Sequence, residues 1–168
     1  MNFENVRQRV EAALNKLRHQ DPFLVEANTN ERTISHKLAE YLQDEFPNWN
    51  VDCEYNRHGH DIKKLRNVDV PNDDVGWNEP EAKTIFPDII VHERNTDKNN
   101  LLVIEVKKSS NAESRQFDKD KLTALTKDDY RYRFGLLLEI SMNKTVDVLE
   151  WYADGRVLHE QRIALWAN

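Results

Sequence analysis

Residues 101–107 read Leu-Leu-Val-Ile-Glu-Val-Lys. Five of these seven side chains are apolar, which predicts a central strand covered on both faces. Strand alternation puts Leu101, Val103, Glu105 and Lys107 on one face, and Leu102, Ile104 and Val106 on the other. A charge buried without its partner costs on the order of 3–5 kcal/mol. Glu105 and Lys107 can partly neutralise one another at this spacing. A metal ion or a bound phosphate would do so better.

A second apolar run, Phe86-Pro87-Asp88-Ile89-Ile90-Val91, precedes the first. Strands are expected at about 85–92 and 101–107, joined by a polar turn, Glu-Arg-Asn-Thr-Asp-Lys-Asn-Asn. Asn and Asp suit such a turn. A hairpin of these strands sets Asp88 beside Glu105 on one face. Two ionised carboxylates that close repel, and a hard divalent cation removes the penalty. Mg²⁺ is commonly held by one or two protein carboxylates, with water and substrate phosphate at its other positions. Lys107, at the edge of such a site, could position an attacking water or stabilise charge on a phosphate.

The rest of the chain supplies layers for this hairpin. Phe3, Val6, Val10, Ala13, Leu14 and Leu17 recur at helical spacing over 3–19, and Asp21-Pro22 ends that helix. Ile34, Leu38, Tyr41 and Leu42 mark a second helix over about 30–46, with Asn30 or Thr29 as N-cap and Glu31 in its first turn. Val51, Cys53 and Tyr55 alternate with Asp52 and Glu54, which predicts a strand. Residues 57–84 show no periodicity and form a long loop, basic in its first part and acidic in its second. A helix over 113–129 turns Phe117, Leu122 and Leu125 inward. Strands follow at 132–141 and 145–153, then an Asp154-Gly155 hairpin turn and a last strand. The expected fold class is α/β, a mixed central sheet flanked by helices, in one domain over 1–168.

Composition narrows the functional classes. The chain has 168 residues with 39% hydrophobic and 32% charged, which suits one domain with a packed core. No apolar run approaches the roughly 20 residues that cross a bilayer, and the first residues lack a signal-peptide core. A single cysteine, Cys53, forms no disulfide within the chain, so the expected compartment is the cytoplasm. The formal net charge of −6 argues against attachment to nucleic acid by bulk electrostatics, while leaving room for a local basic surface.

Pro-Asp at 87–88 and Glu-Val-Lys at 105–107, each on a strand with a helix before and a helix after, resemble the PD-(D/E)xK nuclease superfamily. The resemblance covers about 31–125 and implies a restriction-endonuclease-like core. It implies a nuclease dependent on Mg²⁺ or Mn²⁺ that hydrolyses phosphodiester bonds, with DNA the leading nucleic acid. Asp88 and Glu105 would be metal ligands, the Val106 carbonyl would complete the set, and Lys107 would be the catalytic lysine. Glu31 matches a helix glutamate that reaches the metal in many members. The helix after the motif often faces substrate, which makes Arg115, Gln116 and Lys121 candidates for nucleic-acid contact. Arg57, Lys63, Lys64 and Lys108 are the other basic candidates. The long insertion before residue 86 departs from compact members and leaves the substrate groove undefined. Two protomers would be needed for a double-strand cut.

Each residue also has an ordinary explanation. Glu105 and Lys107 could form a salt bridge on an edge strand. Asp88 could be a turn residue after proline, and Glu31 a helix N-terminal carboxylate. His58 and His60 are too close together for a usual structural zinc site, and a polar loop explains them. His36 and His92 are expected to be partly exposed. Trp49, Trp151 and Trp166 are expected in or near the core. The alternative function is a nuclease-like module without turnover, binding nucleic acid or a protein partner in a restriction, repair or defence assembly. The negative net charge favours that alternative.

Overall fold

A computed structural model places the helices and strands. Side chains are described for residues 1–55, 86–96, 98–112, 114–127, 130–142 and 146–164, and backbone alone at 57–58, 61–62, 64–65 and 83–84. The chain begins with helix α1 (Phe3–Gln20), capped by the Asn2 side chain. Pro22 then opens a short helix the sequence did not predict, α2 (Pro22–Glu26). The same proline that stops α1 is well suited to a first helical position, where no amide donor is needed. Helix α3 (Glu31–Glu45) starts at Asn30, whose side chain accepts from the Thr33 amide at 2.8 Å.

Strand β1 (Asn50–Cys53) comes next. It stops at Glu54, whose φ of 49° leaves the extended region. That turn breaks the expected alternation. Val51 and Cys53 pack against one face of the sheet and Tyr55 against the other. Four two-residue strands lie where a featureless loop was expected: β2 (Arg57–His58), β3 (Asp61–Ile62), β4 (Lys64–Leu65) and β5 (Lys83–Thr84). They pair as β2–β3 and β4–β5.

Strand β6 (Ile89–His92) is shorter than the predicted 85–92 segment, and Asp88 lies just before it. Strand β7 (Asn100–Lys108) matches its apolar run. Helix α4 (Gln116–Lys127) connects it to β8 (Phe134–Ile140), after which come β9 (Asp147–Ala153) and β10 (Arg156–Ile163). The six-stranded sheet has the order β1-β6-β7-β8-β9-β10. Only the β7–β8 pair is parallel, and α4 makes that crossover. The α/β class with a mixed sheet flanked by helices is therefore what the chain adopts.

Two apolar clusters cover the two faces of the sheet. The larger joins α1 and α3 to Ile89, Val91, Ile104, Val106 and Trp151. The smaller joins Leu122 and Leu125 of α4 to Ile90, Val103, Leu137 and Tyr152. Val91 pairs with Leu102 and His92 with Asn100, so Leu101 is an extra residue in a β-bulge. Leu101 consequently packs in the larger cluster, off the face that simple parity assigned to it. Trp151 is fully buried and Trp49 packs against the core, while Trp166 lies outside the described residues. His92, expected to be partly exposed, is buried, with Nε2 2.8 Å from Asp52 Oδ2.

Helix α4 sits close to the sheet at Gly135. A Cβ there would come within 3.0 Å of Thr126 Cγ2 and 3.3 Å of Leu122 Cδ2. That approach carries the α4 side chains over β7. No helix among the described residues is long and apolar enough to cross a membrane.

Candidate functional site

The pairing of β6 with β7 builds the site. Ile89 opposes Ile104 and Ile90 opposes Val103. One step further along the same register, Asp88 comes to Glu105, on the face that carries Ile90 and Val103. Asp88 Oδ2 accepts from the Val106 amide at 2.7 Å. What ties Val106 to Asp88 is thus its N–H group, alongside the carbonyl role the resemblance implies.

Glu105 is buried, 1% exposed. Its Oε2 lies 2.8 Å from Lys121 Nζ, and its Oε1 has no hydrogen-bond partner. Lys107 interacts with Glu105 only through space, Glu105 being the weakest of the carboxylates that raise the lysine, and its direct ion pairs are elsewhere. Its ammonium lies 3.5 Å from Asp118 Oδ2 and 3.8 Å from Glu31 Oε2. The edge-strand salt bridge is excluded by topology as well, because β7 has a neighbour on each side.

Helix α4 supplies the part of the site that sequence reasoning missed. Asp118, Lys121, Leu122, Leu125 and Thr126 are its buried residues. Their spacing is that of one helical stripe. The signal was present: Asp118 and Lys121 fall in register with Leu122 and Leu125, and so had to face the sheet with them. Lys121, a candidate for substrate contact by resemblance, is 6% exposed and turned inward. Its ammonium also stands 5.2 Å from the centre of the Phe117 ring.

Glu31 reaches the far side of the site from the first turn of α3. Its Oε1 accepts from the Lys108 amide at 3.0 Å and from Asn111 Nδ2 at 3.1 Å. An open cleft of about 410 Å³ runs against it, lined by Asn28, Asn30, Glu31, Lys108, Ser110 and Asn111. Lys108 donates to the Thr29 carbonyl at 3.0 Å, tying β7 to the start of α3. Arg115 bonds the carbonyls of Lys108 and Asn111 and the Glu139 carboxylate, bracing the connection into α4. Gln116 is exposed and donates to Asp120. The side chains of Arg57, Lys63 and Lys64, and those of His58 and His60, lie outside the described residues.

Four carboxylates, Glu31, Asp88, Glu105 and Asp118, thus stand around two ammonium groups, Lys107 and Lys121. Fully ionised, the group carries an excess of negative charge. Burial dominates its electrostatics. It raises Glu105 well above the usual carboxylate range, with Asp88 and Asp118 adding to the effect and Lys121 opposing it. It raises Asp88 and Asp118 too, against the pull of both lysines. Lys107 and Lys121 move upward, because the surrounding carboxylates outweigh desolvation.

A cation suits this donor set. The donors are hard oxygens, and Glu105 Oε1 is a buried carboxylate oxygen without a partner. As the side chains stand, no three His, Cys, Asp or Glu among the described residues converge closely enough to enclose a metal. The fit therefore rests on Asp88 and Glu105, a ligand count within the usual range for Mg²⁺. No family model, curated protein or solved structure matches the chain.

Proposed function

We propose that the chain is a divalent-metal-dependent phosphodiesterase acting on nucleic acid, with DNA the favoured substrate, built on the PD-(D/E)xK pattern. The observation that carries this reading is Asp88 beside a fully buried Glu105 that has one unpartnered oxygen. The order of elements supports it: α3, the antiparallel strands β1, β6 and β7, then the α4 crossover to parallel β8. That order keeps a helix before and a helix after the two motif segments, the arrangement on which the resemblance rests.

Asp88 and Glu105 would hold Mg²⁺ or Mn²⁺, with the Val106 carbonyl and Glu31 as further donors. Such a cation supplies Lewis-acid stabilisation of a phosphoryl group and eases formation of a hydroxide nucleophile. Lys107 is charged and 18% exposed at its side chain, at the rim of the site. It would orient water or stabilise charge gathering on the phosphate. Asp118 of α4 and Glu31 of α3 would hold that ammonium in place between them. The cleft lined by Glu31 and Lys108 would be the approach of a polyanion to Lys107.

The test is cleavage of single- and double-stranded DNA and RNA in Mg²⁺, Mn²⁺ or EDTA. Metal-dependent cleavage that falls at least about a hundredfold in both Lys107→Ala and Asp88→Ala is expected, the scale of losing a transition-state contact. A folded protein with no cleavage under any condition contradicts the proposal. One observation favours the module without turnover as a second reading. Lys121 already neutralises Glu105 from within the fold.

A further inference from the structure

Lys121 is an unusual occupant for its position. A lysine on a helix over a sheet ordinarily carries its ammonium out to water. This one is 6% exposed and directs Nζ to Glu105 Oε2 at 2.8 Å. The carboxylate it meets is the one the proposed cation would need. The second oxygen of that carboxylate has no partner, so the lysine satisfies only half of its acceptor capacity. A permanent structural pair ought to be better satisfied, since burying two charges costs several kcal/mol per ion unless the remaining lone pairs are met.

Other groups beside Glu105 already attract the Lys121 ammonium where it stands. The Phe117 ring lies one helical turn back, with its centre 5.2 Å from Nζ. An aromatic face holds an ammonium on its own account. Asp118, on the same stripe, adds negative charge near the lysine.

We propose that Lys121 is a built-in counter-ion that competes with the divalent cation for Glu105. In its absence the ammonium holds Glu105 and keeps the carboxylate cluster from repelling itself. When the cation binds, Lys121 turns away towards Phe117 and Asp118. This rests on the metal site proposed above and adds a regulatory property to it. Affinity for the cation is set low, so occupancy follows the divalent concentration rather than saturating early.

The experiment is calorimetric titration of Mn²⁺ into wild type, Lys121→Met and Asp88→Ala. Lys121→Met is expected to bind Mn²⁺ about tenfold or more tightly than wild type, since an opposing charge at this distance shifts an ionic equilibrium by at least one decade. Asp88→Ala should lose that binding. Wild-type binding that is unchanged or weakened in Lys121→Met overturns the competition and leaves the metal site standing. Absence of Mn²⁺ binding in both proteins overturns the metal site and the competition together. If Lys121→Met fails to fold, a crystal of the wild-type protein soaked in Mn²⁺ decides. With Mn²⁺ on Glu105, the Lys121 ammonium should stand outside hydrogen-bond reach of that carboxylate. An ammonium still paired with Glu105 while Mn²⁺ is bound overturns the proposal.

Discussion

Asp88 shows how one side chain can serve two demands. Its carboxylate accepts the Val106 amide at the start of the β6–β7 pairing, and it also adds charge beside Glu105. Burial raises its pKa above the usual carboxylate value. A carboxyl group whose folded pKa is raised binds its proton more tightly in the folded state. Its contribution is therefore most favourable below the unfolded carboxylate range and declines as pH rises through the folded value. Asn keeps the acceptor for Val106 and removes the charge. Asp88→Asn should thus melt higher than wild type in EDTA near neutral pH, by roughly 0.5–2 kcal/mol, with the gap closing as pH falls towards about 4. Thermal melts across pH check this, and a gap that widened on acidification would contradict it. Cys53 allows an independent check on the electrostatics of the same region. Burial, aided by Asp88, Glu54 and Asp52, pushes its thiol up to about 11. Its alkylation at pH 8 should be on the order of a hundredfold slower in the folded chain than in urea, because the thiolate is the reacting form.

At the level of elements, a buried ion pair fixes α1 to the far end of the sheet. Arg18 bonds Asp147 through Nε at 3.1 Å and through a second guanidinium nitrogen, and it donates to the Ser141 carbonyl at 3.2 Å. Asp147 Oδ1 in turn accepts the Ser141 amide at 2.7 Å, closing the β8–β9 connection. Both charged side chains are buried. Arg18→Met should cost about 3–5 kcal/mol by stranding Asp147. The double variant Arg18→Met with Asp147→Asn should recover a large part, because Asn still accepts from Ser141. Chemical denaturation measures both. Helices α1 and α3 follow from one buried stripe each, β7 and β8 from apolar runs buried on both faces and β9 from alternation, whereas β10 buries no residue and was legible only from the Asp154-Gly155 turn before it. The short α2 was hidden behind Pro22, which reads equally as a stop and as a start. Tyr55 was assigned to the wrong face because Glu54 takes a left-handed backbone value that alternation does not anticipate.

For the molecule as a whole, the site is a matter of which elements converge. Asp88, Glu105 and Lys107 were visible as charges inside apolar strands. Their neighbours were not, because periodicity reports which face a residue takes and not which residue it meets. Lys121 read as a surface cation until α4 was placed on the sheet, and Glu105 proved to pair with it across 16 residues of sequence instead of with Lys107 two residues away. Asp118 carried no signal beyond its helical register. The central claim is that Asp88 and Glu105 hold a divalent cation, and a crystal soaked in Mn²⁺ tests it most directly. Anomalous density within about 2.0–2.3 Å of an oxygen from each carboxylate is the expected result. Crystals soaked in excess Mn²⁺ with no density there, and with Glu105 still paired to Lys121, would contradict the claim.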